Sequence, residues 1–138
     1  MNVLIDTNVV LDFLLRRDPH FQDAARIIVL SEKEIISGFI SASAVTDIYY
    51  IAKKETKSKD AALALIRNLL QTIRIASVTE SSILEALDLN WDDFEDSVQY
   101  VVGKEIAAKY IVTRNPDDFA GNKIKILSPK EFILQICS

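Results

Sequence analysis

A single cysteine, Cys137, and a single histidine, His20, are all that 138 residues offer of the side chains most used for redox, zinc and nucleophilic chemistry. One cysteine excludes an intramolecular disulfide, and a reducing cytoplasm is the expected setting. His20 follows Pro19 in what reads as a first helical turn, a surface position. A serine or cysteine nucleophile activated by histidine is therefore not expected, and no paired Cys/His spacing suits zinc. The three glycines, Gly38, Gly103 and Gly121, stand apart, so there is neither a P-loop nor a Gly-rich dinucleotide turn. With only three prolines and 49% apolar residues, a collagen-like repeat, disorder and a loop-dominated scaffold are excluded. No apolar run is long and uncharged enough to span a bilayer, and no basic region precedes an apolar stretch as in a signal peptide, so no membrane partner is expected.

A length of 138 residues suits one domain over residues 1–138, large enough to bury a substantial core. Sixteen Lys+Arg against twenty Asp+Glu leave a net charge of −4, unlike the basic balance usual for nucleic-acid binders. The distribution says more. Asp92, Asp93, Glu95 and Asp96 crowd into "WDDFED", and Lys53, Lys54, Lys57 and Lys59 into "KKETKSK". An acidic focus and a basic patch suit a metal site flanked by a phosphate-binding rim; two solvated helix ends are the plainer alternative.

Apolar runs of strand length alternate with helical patterns. Residues 2–5 read as a first strand, after which Asn8 can cap a helix carrying Val9, Val10, Phe13 and Leu14. Asp18 suits an N-cap and Pro19 a first helical position, for a helix to about Glu32. Residues 34–42 form a second strand, and Ser43 caps a helix that turns Val45, Ile48, Tyr49 and Ala52 inward. A helix over about 58–70, a strand in 72–78, and a helix capped by Thr79 follow. Asp92 or Asp93 caps a long helix to about Lys109. Residues 110–113 and 124–127 are the last strands. Ser128, Pro129 and Glu131 open a closing helix with a capping box. Strands separated by helices predict an α/β fold: a three-layer α/β/α sandwich on a mainly parallel five-stranded sheet. In such sheets ligands bind beyond the carboxyl ends of the strands, where strand order reverses.

The chemistry left by these absences is that of carboxylates, several of them just after strands. Asp6 follows strand one, Asp47 lies one turn into the helix after strand two, and Asp117 and Asp118 follow strand four. Asp96 lies in the first turn of the helix leading into strand four. Acids converging at one sheet edge repel one another, and a hard divalent cation such as Mg²⁺ or Mn²⁺ relieves that repulsion. Acids plus metal, without a protein nucleophile, suit metal-activated water attacking a phosphodiester. Each acid also has a purely structural use: Asp6 as a helix cap, Asp47 as an exposed helical residue, Asp92, Asp93 and Asp96 at a helix N-terminus, Asp117 in a turn.

The segments "LIDTNVVLD", "SASAVTDIYYIAKK" and "FEDSVQYVVGKEIAAKYIVTRNPDDF" together resemble, in order and over nearly the whole chain, the PIN-domain family, the metal-dependent ribonuclease fold of VapC-like toxins from bacterial toxin–antitoxin pairs. The resemblance implies that Asp6, Asp47, Asp96 and Asp118 are the catalytic and metal-holding acids for one or two Mg²⁺ or Mn²⁺ ions, supported by Asn8, Thr113 and Asn115. It implies RNA as substrate, with Lys53, Lys54, Lys57 and Arg114 holding its backbone. It also implies a small antitoxin partner and a homodimer, for which the consecutive Tyr49, Tyr50 and Ile51 supply apolar surface. Two departures stand out. The family's second acid is usually glutamate, and Asp47 is one methylene shorter. The family's Thr-x-Asp reads Thr113-Arg114-Asn115 here, so the last carboxylate has to come from Asp117 or Asp118, and Asp118, beside the apolar Phe119, is the one expected to point towards Asp6 and Asp96. Two other readings stay open: a phosphoacceptor receiver domain, and a PIN domain that binds nucleic acid or a partner without cleaving.

Overall fold

The structure, a computed structural model, describes residues 1–137. In chain order its elements are β1 (Asn2–Ile5), α1 (Thr7–Leu14), α2 (Phe21–Glu32), β2 (Ser37–Ser41), α3 (Ala42–Thr56), α4 (Lys59–Leu69), β3 (Arg74–Ala76), α5 (Glu80–Leu89), α6 (Phe94–Glu105), β4 (Tyr110–Val112), β5 (Lys125–Leu127) and α7 (Pro129–Cys137). A single 3₁₀ turn, Pro116–Asp118, lies between β4 and β5. The strands order themselves β3-β2-β1-β4-β5, and every pairing is parallel. The expected parallel five-stranded α/β sheet is therefore what the chain builds.

The layers follow from the alternation of side chains along the strands. Val3, Ile5, Tyr110 and Val112 enter one apolar cluster with residues of α1, α2, α3, α4 and α7. Leu4 and Ile111 enter another, with Ala86 of α5 and Val98, Val101 and Val102 of α6. Strands buried on both faces need near-continuous apolar runs, and both β1 after its first residue and all of β4 are buried throughout.

Strand order reverses at β1. The chain leaves β1 for β2 on one side, and β4 docks on the other. The register pairs Ile5 with Val112, so Asp6 and Thr113 leave the sheet side by side. Asp6 N–H donates to Val112 O at 2.9 Å and Thr113 N–H to Leu127 O at 3.0 Å, holding both residues at the switch point where ligands bind in open parallel sheets.

Helix starts needed correction in three places. Asp6, not Asn8, caps α1: its backbone is extended and its carboxylate accepts from Thr7 N–H. Ending β1 at Ile5 leaves no room for a longer lead-in. Helix α2 starts at Phe21, not at Pro19, because residues 17–20 close a turn with Phe21 N–H on Arg17 O at 2.8 Å. Ser41, not Ser43, caps α3, accepting from Ala44 N–H at 3.3 Å, while Ser43 Oγ lies 2.9 Å from Ser41 Oγ. The expected caps at Thr79, at Asp93 and at Ser128 with Glu131 are present. The long helix stops at Glu105, short of Lys109, where Ala107 takes a left-handed backbone at φ 53°.

Ser41 is fully buried and aims the helix that carries Asp47. Ser41→Ala is expected to cost about 1 kcal/mol of stability, as loss of an N-cap usually does. Ser43→Ala should stay within about 0.5 kcal/mol of wild type. Urea denaturation of the two variants checks the assignment.

Candidate active site

Asp6 is only 6% exposed, and three donors hold its carboxylate. Thr7 N–H and Gln99 Nε2 both donate to Oδ1 at 2.7 Å, and Thr113 Oγ donates to Oδ2 at 2.7 Å. Thr113 Oγ in turn accepts from Asn115 N–H at 3.2 Å. Asn8 Oδ1 accepts from Arg114 N–H at 3.4 Å, tying α1 to the chain after β4. The arrangement fixes the carboxylate's rotation with neutral donors and leaves Oδ2 with acceptor capacity toward solvent.

That free side faces a cleft of about 480 Å³ lined by Asp6, Asp47, Asp93, Glu95, Asp96 and Asp118, together with Asn8, Thr113 and Asn115. All four acids expected from the sequence share this one cleft, and so do the three polar residues expected to support them. Each acid arrives on a different element. Asp6 ends β1, Asp47 lies in α3, Asp96 in the first turn of α6, and Asp118 closes the 3₁₀ turn after β4. Asp117 does not line the cleft, whereas Asp118 does; buried Phe119 anchors that end of the turn. Asp93 and Glu95 are additions: Asp93 caps α6 through Asp96 N–H at 3.0 Å, and Glu95 Oε1 accepts from Thr7 Oγ at 3.3 Å.

Like charges at such close quarters disfavour ionisation. Desolvation first, and then the charges of Asp6, Asp93, Asp118 and Glu95, push the Asp96 carboxyl up from 3.8 to about 7. Glu95 is also raised, by desolvation and then by Asp47 and Asp6. The donor set consists of hard oxygens, with one cation among the lining side chains, Arg17, which already pairs with Glu55 at 2.6 Å. That chemistry suits Mg²⁺ or Mn²⁺. Among the described residues no three His, Cys, Asp or Glu side chains are already placed to hold an ion together. An open ring of this kind matches a cation that keeps several waters and takes one or two carboxylates directly.

The four basic residues expected to hold an RNA backbone lie outside the cleft lining. Lys53, Lys54 and Lys57 are exposed at the end of α3 and do not line the cleft. Arg114, expected on the RNA backbone, instead turns inward, with Nε 2.7 Å from Asp12 Oδ2. That approach is not aligned as a hydrogen bond, so the contact is an ion pair in a buried setting. Burial raises the Asp12 carboxyl, and Arg114, His20 and Arg17 oppose the rise. Tyr49 and Ile51 pack onto the core, while Tyr50, 66% exposed, stands at the cleft wall.

Sequence reading missed Gln99 and Asp12, each with a visible signal. Gln99 is an amide inside the apolar arc Val98, Val101 and Val102 of α6, and every residue from Ser97 to Gly103 is buried. Asp12 is an acid between Leu11 and Phe13 on an otherwise apolar helix and is 1% exposed.

Known proteins resemble this chain in sequence and in fold. Residues 2–117 match a family model described as PIN domain. The chain is 28% identical over 138 residues to Ribonuclease VapC1 of Aquifex aeolicus (strain VF5), covering 94% of this chain and 92% of that protein. Among solved structures, VapBC2 from Rickettsia felis bound to a DNA fragment from its promoter superposes with a TM-score of 0.69 at 14% identity, covering 91% of this chain and 97% of that one. Mycobacterium tuberculosis VapC20, a Sarcin-Ricin loop cleaving toxin, gives 0.65 at 16% identity, with 79% and 86% covered.

A raised carboxyl means that the folded state binds its proton more tightly than the unfolded chain does. Without divalent metal, stability is therefore expected to fall as pH rises from about 3.8 to about 7. Asp96→Asn should flatten that fall, and Mg²⁺ or Mn²⁺ should reverse it in the wild type. Thermal melts across this window, with chelator and with metal, measure all three.

Proposed function

The chain belongs to the PIN domain family, and from that premise we propose that it is a metal-dependent endoribonuclease, the toxin of a toxin–antitoxin pair. One observation carries the reading: a buried carboxylate, Asp6, clamped by three donors, opens onto five further acids at the switch point of a parallel sheet. A solvated structural acid would need neither the clamp nor the company.

Asp6, Asp47, Asp96 and Asp118 would hold one or two Mg²⁺ or Mn²⁺ ions. When bound, the metal supplies Lewis-acid polarisation of a phosphoryl oxygen and activation of water for attack on phosphorus. The chain's own residues do the positioning. Gln99 and Thr113 keep Asp6 from rotating, and Thr113 passes the constraint on to the Asn115 backbone. Asn115 contributes a neutral amide oxygen at the corner where the family more often has a carboxylate, which leaves Asp118 to supply the charge. Asp47, a methylene shorter than glutamate, reaches the cleft from the second turn of α3.

RNA is the substrate that suits this site. Lys54 follows Asp47 by two helical turns, about 10 Å along α3, so Lys53, Lys54 and Lys57 can hold the backbone of a strand leaving the cleft. A small antitoxin is the proposed protein partner, as in the toxin–antitoxin complexes with which the fold superposes. A homodimer is proposed as well; exposed Leu84, Leu87 and Phe94 on α5 and α6 support such an interface. A cytoplasmic site of action follows from an RNA substrate. The receiver-domain alternative has no support: it needs an aspartate after the third strand, where Ser77, Val78 and Thr79 follow β3.

Asp6→Asn and Asp96→Asn are each expected to abolish Mg²⁺- or Mn²⁺-dependent cleavage of RNA while preserving the folded circular dichroism spectrum. Undiminished cleavage in excess chelator would refute the mechanism. Mn²⁺ titration calorimetry separates the nuclease from a non-cleaving PIN domain.

The corner after β4 can be tested separately. Asp118→Ala should weaken metal binding by about 10-fold or more, and Asp117→Ala should leave it unchanged. Equal effects would remove Asp118 from the site.

A further inference from the structure

We propose that Arg17 is a substrate-contacting residue that clamps the reacting phosphate with its guanidinium. This rests on the nuclease reading above and goes beyond it, since Arg17 has no place in the acid set.

The cleft has six carboxylates and one cation, Arg17, among its lining side chains. A phosphodiester approaching such a wall is repelled, and a metal held by the acids would polarise the phosphoryl oxygen it meets and leave the charge on the other without a partner. A cation on the protein side is needed where the phosphate lies, and a planar fork that can bond two phosphate oxygens at once serves it best. Arg17 stands on a fixed backbone. Its N–H donates to Asp12 O at 3.0 Å, and its carbonyl accepts from Phe21 N–H at 2.8 Å.

The side chain is held more loosely. Nη1 is 4.0 Å from Asp12 Oδ1, while Arg114 meets the same carboxylate at 2.7 Å, so Asp12 does not depend on Arg17. Nη2 meets Glu55 Oε1 at 2.6 Å, with Glu55 45% exposed. An exposed carboxylate partner is screened by solvent and is exchangeable for a phosphate. Glu55 thus parks the guanidinium at the cleft wall until substrate arrives. The competing explanation is that Arg17 merely pins the α1–α2 turn to the end of α3 through Glu55, and the two make opposite statements about Glu55.

The experiment uses the full chain with Mn²⁺ and a single-stranded RNA oligonucleotide. Arg17→Ala is expected to lower kcat/KM about 100-fold, the scale for removing one donor from a developing oxyanion, without weakening Mn²⁺ affinity by calorimetry. Arg17→Lys should recover only part of the loss, since an ammonium cannot bond in a fork. Glu55→Ala should cleave at least as well as wild type. The proposal is overturned if Arg17→Ala cleaves like wild type, if Glu55→Ala loses as much as Arg17→Ala, or if Mn²⁺ affinity falls in step with activity.

If the wild type does not cleave RNA at all, the nuclease reading fails, and the same RNA is titrated onto wild type and Arg17→Ala at several salt concentrations. Weaker binding by the variant, with a log–log salt slope shallower by about 0.7 for one lost phosphate contact, then upholds the clamp. Equal binding, or no binding by either protein, overturns it.

Discussion

The site depends on one strand pairing. Parallel pairing of β1 with β4, in the register that sets Ile5 beside Val112, brings Asp6 and Thr113 out of the sheet together. Their side chains then meet at 2.7 Å. A shift of one residue would turn every side chain of β4 to the opposite face, and Thr113 would lose Asp6. The register is protected by burial on both faces, with Leu4 and Ile111 in one apolar cluster and Ile5 and Val112 in the other. Core packing and site geometry are therefore a single constraint: what holds the strands in register also holds the first acid in place.

Helix α1 shows two ways of burying a carboxylate. Asp6, at its start, is surrounded by neutral donors, an amide, a hydroxyl and a backbone N–H. Those donors orient the group without neutralising it, so its charge remains available to a cation. Asp12, nearly two turns on, meets the Arg114 guanidinium and is closed to any ligand. An unpaired buried charge is costly, and the two acids resolve that cost differently according to use. Six acids at the cleft oppose stability, and burial first, with their mutual repulsion second, raises the Asp96 carboxyl. Local conflict of this sort marks places selected for something other than stability.

Much of the architecture is legible in the residue order. Apolar runs bounded by polar residues mark all five strands, and the caps at Thr79, Asp93 and Ser128 stand where local chemistry puts them. Asp6, Asp47, Asp96 and Asp118 can be picked out because each acid falls just after a strand or early in a helix next to one. Boundaries are less legible. Ser41 and Ser43 are both competent caps, and which one serves depends on where β2 stops pairing with β3. Asp6 and Asn8 pose the same ambiguity, decided by the end of β1.

By itself, the residue order determined the class of fold and singled out the carboxylates, because periodicity, capping and the placement of acids after strands are local properties; the family followed from the resemblance of whole segments. Only the tertiary structure decided the partners. Gln99 reaches Asp6 across 93 positions, Thr113 across 107, and Arg114 turns from the expected substrate surface to buried Asp12. Arg17 likewise enters the acid cleft from a turn that nothing nearby in sequence marks out. The reason is physical. Hydrogen bonds and ion pairs join groups that packing brings within about 3 Å, and packing is settled by sheet order and register, which bring together residues far apart in the chain.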